Sequence, residues 1–215
     1  MENAKDLSNA YVIKAMFVSS ILKGEINLFP NKDLLIGQEV MYGKHQSFAD
    51  LVVLYNNRTY AIEIKAQNDN FRRLNSQIEN YRKVFDYVYV LATQNHINAL
   101  KDIDYQGVGI ISIDNDAFKI VKRGRLQNKF SKEDILESVP VSYLTKKFVL
   151  KKSLSACAVR DELVKKNVTE LKKTLFEYFN FKIEDKFKNF IKEKGEDVQY
   201  EDISLLSIIN ARVSK

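Results

Sequence analysis

One cysteine, two prolines and seven glycines in 215 residues exclude several protein classes at once. Cys157 stands alone, so there is neither a disulfide framework nor a zinc site built from cysteines. The glycines form no phosphate-cradling loop, and a helicase or motor would have to be a separate chain. No apolar run approaches the roughly 20 residues a membrane span needs. The greasiest stretch, AYVIKAMFVSSIL, is broken by Lys14 and reads as a core helix, not a signal peptide. The cytoplasm is the expected compartment, with no membrane partner. No internal repeat or low-complexity tract is present.

What the chain does have is apolar bulk and positive charge. With 45% hydrophobic residues it can bury a sizeable core. Its 34 Lys and Arg against 28 Asp and Glu give a net +6. That surplus suits a polyanionic partner, and it equally suits a plain solvated lysine surface.

Periodicity sets the element order. Apolar residues at helical spacing from Leu7 to Leu22 predict a helix ended by Gly24. DLLIGQEVMY, FADLVVLY and TYAIEIKA are short and rich in branched or aromatic residues, hence strands. Asp69 is placed to cap a helix whose apolar face is Phe71, Leu74, Ile78, Tyr81 and Phe85. YVYVLAT reads as a buried strand, and GVGIISIDNDAFKIVKR as a hairpin turning at Asp114-Asn115-Asp116. The expected fold is α/β: a mixed central sheet flanked by helices in the order αβββαβ, with a helical C-terminal region. Residues 1–126 form the α/β part, 127–152 connect through short helices around Pro140, and 153–215 are helical. In that last part Asn167 is placed to cap a helix together with Glu170. Phe176, Phe179, Phe181, Phe187 and Phe190 read there as packing residues.

Three charges stand out in the most apolar sheet: Asp50 on one strand, Glu63 and Lys65 on the next. Side chains alternate faces along a strand, so Glu63 and Lys65 share one. A turn centred on Asn56-Asn57 puts Asp50 directly across from Glu63. Facing carboxylates repel, and dry unpaired charge is costly. Lys65 supplies one positive charge, and a divalent cation such as Mg2+ would supply the rest through hard oxygen ligands. Such a cation polarises a phosphodiester and helps make hydroxide from water. The rival reading is a salt bridge of Lys65 with Asp50 or Glu63 at a sheet edge, and a bare E-x-K triplet is weak evidence: Glu184-Asp185-Lys186 is another.

Asp50 followed by Glu63-Ile64-Lys65, within a helix–strand–strand–strand–helix–strand order, resembles the PD-(D/E)xK nuclease superfamily with its restriction-endonuclease-like fold. Ala49 replaces the usual proline. Gln77 and Tyr81 in QIENY resemble the Q-x-x-x-Y element of RecB-like nucleases and lie on one helix face. The string from Ala49 to Thr93 is also similar to a small bacterial family of predicted nucleases, and AVRDEL resembles that family's helical part. The resemblance implies a Mg2+- or Mn2+-dependent deoxyribonuclease acting in repair, phage or defence contexts, or an inactive module that binds DNA or protein. It implies Asp50, Glu63 and the Ile64 main-chain carbonyl as metal ligands, with Glu39 as a further acid or a surface glutamate. Lys65 positions water or stabilises charge, and Gln77 and Tyr81 order the site. Lys44, Arg72 and Arg73 are candidate DNA contacts, each with a solvated-surface alternative. The C-terminal helices are left to guide substrate or to assemble a homo-oligomer.

Overall fold

The computed structural model describes residues 6–30, 33–102, 105–114 and 116–208. The first helix, α1 (Ala10–Lys23), forms between two caps. The Asn9 side chain accepts from the Tyr11 amide, and Gly24, at φ 79°, turns the chain left-handed and bonds the Ile21 carbonyl. The helix therefore starts at Ala10, not at Leu7.

The three expected strands follow as β1 (Leu34–Tyr42), β2 (Ser47–Tyr55) and β3 (Arg58–Lys65). Asn56 and Asn57, at φ 49° and 56°, make the two-residue turn between β2 and β3. Asparagine tolerates that conformation, and its twist matches a hairpin. Helix α2 (Leu74–Arg82) crosses to β4 (Tyr87–Thr93), and α3 (Gln94–Asp102) crosses to β5 (Gly109–Asp114), which pairs with β6 (Ala117–Lys122). The strands lie side by side in chain order. Pairs β1–β2, β2–β3 and β5–β6 are antiparallel, while the two helical crossovers make β3–β4 and β4–β5 parallel. Of the expected turn at 114–116, Asn115 lies outside the described residues.

Two local expectations change. Asp69 does not cap α2: its carboxylate accepts from the Ala66 amide and its own amide bonds the Ala66 carbonyl, closing the loop after β3. The helix begins at Leu74 with no side-chain cap, and Phe85 falls beyond its end.

The helical part comprises α4 (Lys132–Glu137), α5 (Val141–Lys147), α6 (Ala156–Leu163) and α7 (Val168–Glu193). Asn167 caps α7 on the Glu170 amide, as expected. This 26-residue helix packs across β1 and β2. Phe179 stacks on Phe85 with ring centroids 5.9 Å apart. Ile183 lies so close over Gly37 that a Cβ there would meet its Cγ1 at 2.9 Å. Phe179, Phe187 and Phe190 are buried, whereas Phe181 is 66% exposed. One hydrophobic cluster runs through sheet and helices alike, so the change of character near residue 127 marks a switch of element, not a break in the core.

The chain closes on β1. A 3-10 turn, Asp202–Leu206, lies against this edge strand. The Gln38 side-chain amide donates to the Ile203 carbonyl at 2.6 Å, and Ser207 bridges in parallel to Gln38. Covering an edge in this way blocks pairing with another chain. Among the described residues, no helix is long and apolar enough to cross a membrane.

Candidate functional site

The register of the β2–β3 ribbon is the one the Asn-Asn turn dictates, with Leu51 opposite Ile62 and Val52 opposite Ala61. Continued by one residue, it sets Asp50 against Glu63. The regular ladder stops at Leu51, however, and the Asp50 carboxylate accepts from the Ile64 amide at 2.9 Å. On the other side of Asp50 the ladder is broken as well. Gln38 pairs with Leu51 and Val40 with Ala49, but Glu39 between them is left-handed at φ 51°. A bulky residue holds that conformation at a cost of about 1–2 kcal/mol. The sheet is thus opened around one aspartate.

Glu63 and Lys65 emerge from β3 on the same face, 2% and 8% exposed. Lys65 Nζ donates to Glu63 Oε1 at 2.9 Å and to Gln77 Oε1 at 3.2 Å. Tyr81 Oη, fully buried, donates to Glu63 Oε2 at 2.6 Å. Gln77 and Tyr81 sit one turn apart on α2, on one face as their spacing anticipated, and both reach the E-x-K segment. The salt-bridge reading of Lys65 is also realised, with Glu63 as its partner.

Burial, and then the charge of Glu63, push the Asp50 carboxyl up to about 6. Lys14, the Ile64 amide and Lys65 pull the other way. Tyr81 is pushed well above the usual phenol range by burial, then by Glu63 and Asp50, so it remains a donor. Tyr42 is raised by burial and then Glu63, and its ring lies 5.1 Å from that of Tyr81.

Three side chains at the site went unread in the sequence. Lys14 is 5% exposed, donates to Gln38 Oε1 at 3.4 Å and lies 4.9 Å from the Tyr11 ring centroid. Its signal was present, as the lysine that interrupts the apolar run of α1. Tyr11, three residues earlier, donates to Glu39 Oε1 at 3.3 Å. Ser207 donates to the other Glu39 oxygen at 3.0 Å, a partner 168 residues away that no local pattern announces.

The remaining candidates are dispersed. Glu39 is held by Tyr11 and Ser207 at the rim, and among the described residues no group of three or more His, Cys, Asp or Glu is placed to hold a metal ion. Lys44 is exposed in the β1–β2 turn, its amide on Asp134. Arg72 and Arg73 are exposed at the start of α2. Two exposed aromatics border the site, Tyr11 and Phe48, the latter two residues before Asp50. A cleft of about 570 Å3, lined by Arg58, Phe130, Lys172 and Phe176, lies at the opposite end of the β2–β3 ribbon.

Fold and site together define a mixed α/β protein with a desolvated acid–acid–lysine cluster at a gap in its sheet. The chain belongs to the bacteriophage P4 protein cII family, whose model matches residues 3–207. No curated protein matches it. A solved protein of unknown function from Silicibacter pomeroyi is similar at 15% identity with a TM-score of 0.40, over 75% of this chain and 85% of that one.

Proposed function

We propose that the chain is a metal-dependent nuclease hydrolysing DNA phosphodiester bonds, with Mg2+ or Mn2+ between Asp50 and Glu63. The observation that carries this reading is the pair of carboxylates set together where β2 leaves the ladder, the charge of Glu63 raising the cost of ionising Asp50. A dication relieves that repulsion, so the donor set fits one: Asp50, Glu63 and the Ile64 carbonyl, with water filling the shell. Glu39 is better placed as a rim residue than as a ligand.

When bound, the metal polarises the phosphoryl oxygen and lowers the pKa of water. The protein does the rest. Lys65 spends two of its three donors on Glu63 and Gln77, leaving one for the attacking water or a phosphate oxygen. Tyr81 and Gln77 fix the rotamers of Glu63 and Lys65. Lys44, Arg72 and Arg73 contact the DNA backbone, and Phe48 and Tyr11 offer faces for unpaired bases. Plasmid and linear DNA are expected to be cut by the purified protein when Mn2+ or Mg2+ is added, and Asp50→Ala and Lys65→Ala are each expected to lower the rate by at least about 100-fold. Cleavage that survives both substitutions assigns the activity to another site or a contaminant.

The raised Asp50 pKa gives a pH prediction. Its proton must leave before a cation binds, so Mn2+ affinity by calorimetry strengthens as pH rises through about 6 and levels off above it. Affinity that is flat across that range argues against Asp50 as a ligand.

A second reading has one observation in its favour: both Glu63 oxygens already have side-chain partners. A nuclease fold kept for binding DNA or protein would look the same. It predicts salt-sensitive DNA binding with no Mn2+ uptake and no cleavage.

A further inference from the structure

Lys14 is a buried cation with little to satisfy it. It is 5% exposed, and among the described residues no carboxylate lies within 4.0 Å of its ammonium. Its one hydrogen bond is the long one to Gln38 Oε1, at 3.4 Å. Among the described residues, what it has besides is the Tyr11 ring, 4.9 Å away, and the charge of Asp50 at longer range. A protonated amine with two of three donors unused is expensive to bury, and neighbouring Tyr11, 41% exposed, shows that the solvent boundary is close.

The charge balance gives this lysine a use. In the free protein Lys14 and Lys65 act on Asp50 beside Glu63, with Glu39 at the rim, so two positive charges stand among three acids. Uptake of a dication by the acids turns that deficit of positive charge into an excess, which an entering phosphodiester offsets. We propose that Lys14 is a second phosphate-contacting cation of the site, delivered from α1 and taking a non-bridging oxygen of the DNA backbone beside Asp50. This inference rests on the nuclease reading and adds to it a residue outside the E-x-K segment.

The rival role is structural: Lys14 would merely hold Gln38, which in turn holds the Ile203 carbonyl. Three substitutions separate the two. Lys14→Arg keeps the charge, Lys14→Gln keeps a donor toward Gln38 without charge, and Lys14→Met keeps only the apolar stem. The probe is a mixed-sequence DNA oligonucleotide, single- and double-stranded, titrated against salt in Ca2+ and in EDTA, with melting temperatures measured in parallel. For a phosphate contact, Met and Gln weaken binding and lower the salt slope by about one, while Arg retains it. Mn2+-dependent cleavage falls at least about 10-fold in Met and Gln. If Gln restores wild-type slope and stability, and Met loses stability with its slope intact, the lysine is a prop and the inference is overturned. A wild-type protein that cuts DNA while Lys14→Met and Lys14→Gln cut equally fast overturns this inference alone. A wild type that neither binds nor cuts DNA overturns it together with the nuclease reading.

Discussion

Glu63→Ala is expected to give a protein that cuts no DNA and unfolds far below the wild type. Glu63 is 2% exposed and its two oxygens receive Lys65 Nζ and Tyr81 Oη. Its removal strands a lysine 8% exposed and a fully buried phenol. Breaking a buried ion pair from one side costs about 3–5 kcal/mol, or roughly 10 °C in a chain of this size. Glu63→Gln is the informative companion. Its amide oxygen can accept from Tyr81 or Lys65, so most of the fold's stability returns, but the negative charge a dication requires does not. Gln at this position should therefore fold, melt within a few degrees of the wild type, and show no metal-dependent cleavage. Wild-type cleavage by Glu63→Gln would falsify the assignment of Glu63 as a metal ligand.

The second large effect lies away from the site. Asp86, 4% exposed, accepts from the Thr59 amide at 2.9 Å and the Thr59 hydroxyl at 2.8 Å, and pairs with Lys172 of α7 at 3.3 Å and Arg58 at 3.6 Å. This carboxylate ties the β3–β4 crossover to the long helix. Asp86→Ala leaves the Lys172 ammonium buried beside neutral oxygens and should cost about 3–5 kcal/mol. Adding Lys172→Met should recover a large part of that loss, because the orphaned charge leaves with it. Burial holds Lys172 down to about 8, against the pull of Asp86. Between that value and the unfolded lysine range, the unfolded chain binds more protons than the folded one, so stability rises with pH. Denaturant unfolding should show the rise from about pH 8 toward 10, at up to about 1.4 kcal/mol per pH unit, and Lys172→Met should abolish it. Above about pH 10 the sign reverses, because buried tyrosines such as Tyr60, pushed up to about 12, hold protons that unfolded tyrosines release. A wild-type curve flat between 8 and 10 would show that Lys172 is not desolvated in solution.

Much of the fold was legible because it is written in local chemistry. Branched strands, Asn56-Asn57 as a left-handed pair and the i, i+4 spacing of Gln77 and Tyr81 each act over a few residues. They sufficed to put Asp50 in register with Glu63 and to set the glutamine and tyrosine on one helix face, whereas the reach of that pair to the E-x-K segment was implied by the nuclease resemblance alone. The start of α2 was misjudged because Asp69 has two competing uses, and bonding the Ala66 amide won over capping. Harder still was what comes from afar. Lys14 approaches Asp50 only because α1 packs on β3, and Glu39 finds Ser207 across almost the whole chain. The C-terminal helices were legible as a helical region by their change of composition, but not their docking, in which Ile183 over Gly37 and Phe179 on Phe85 join them to the core of the sheet. Composition reports solvent exposure, not which surface a helix buries.

The clasp between the last turn and the first strand gives synthesis a direction. Ile203 and Ser207 leave the ribosome long after the strands they secure. Until they arrive, Gln38 lacks its carbonyl partner, Glu39 lacks one of its two hydroxyls, and the margin of the sheet beside Asp50 is bare. A nascent chain therefore carries its acids before it carries the frame that aims them, and maturation of the cluster waits on Ile203 and Ser207.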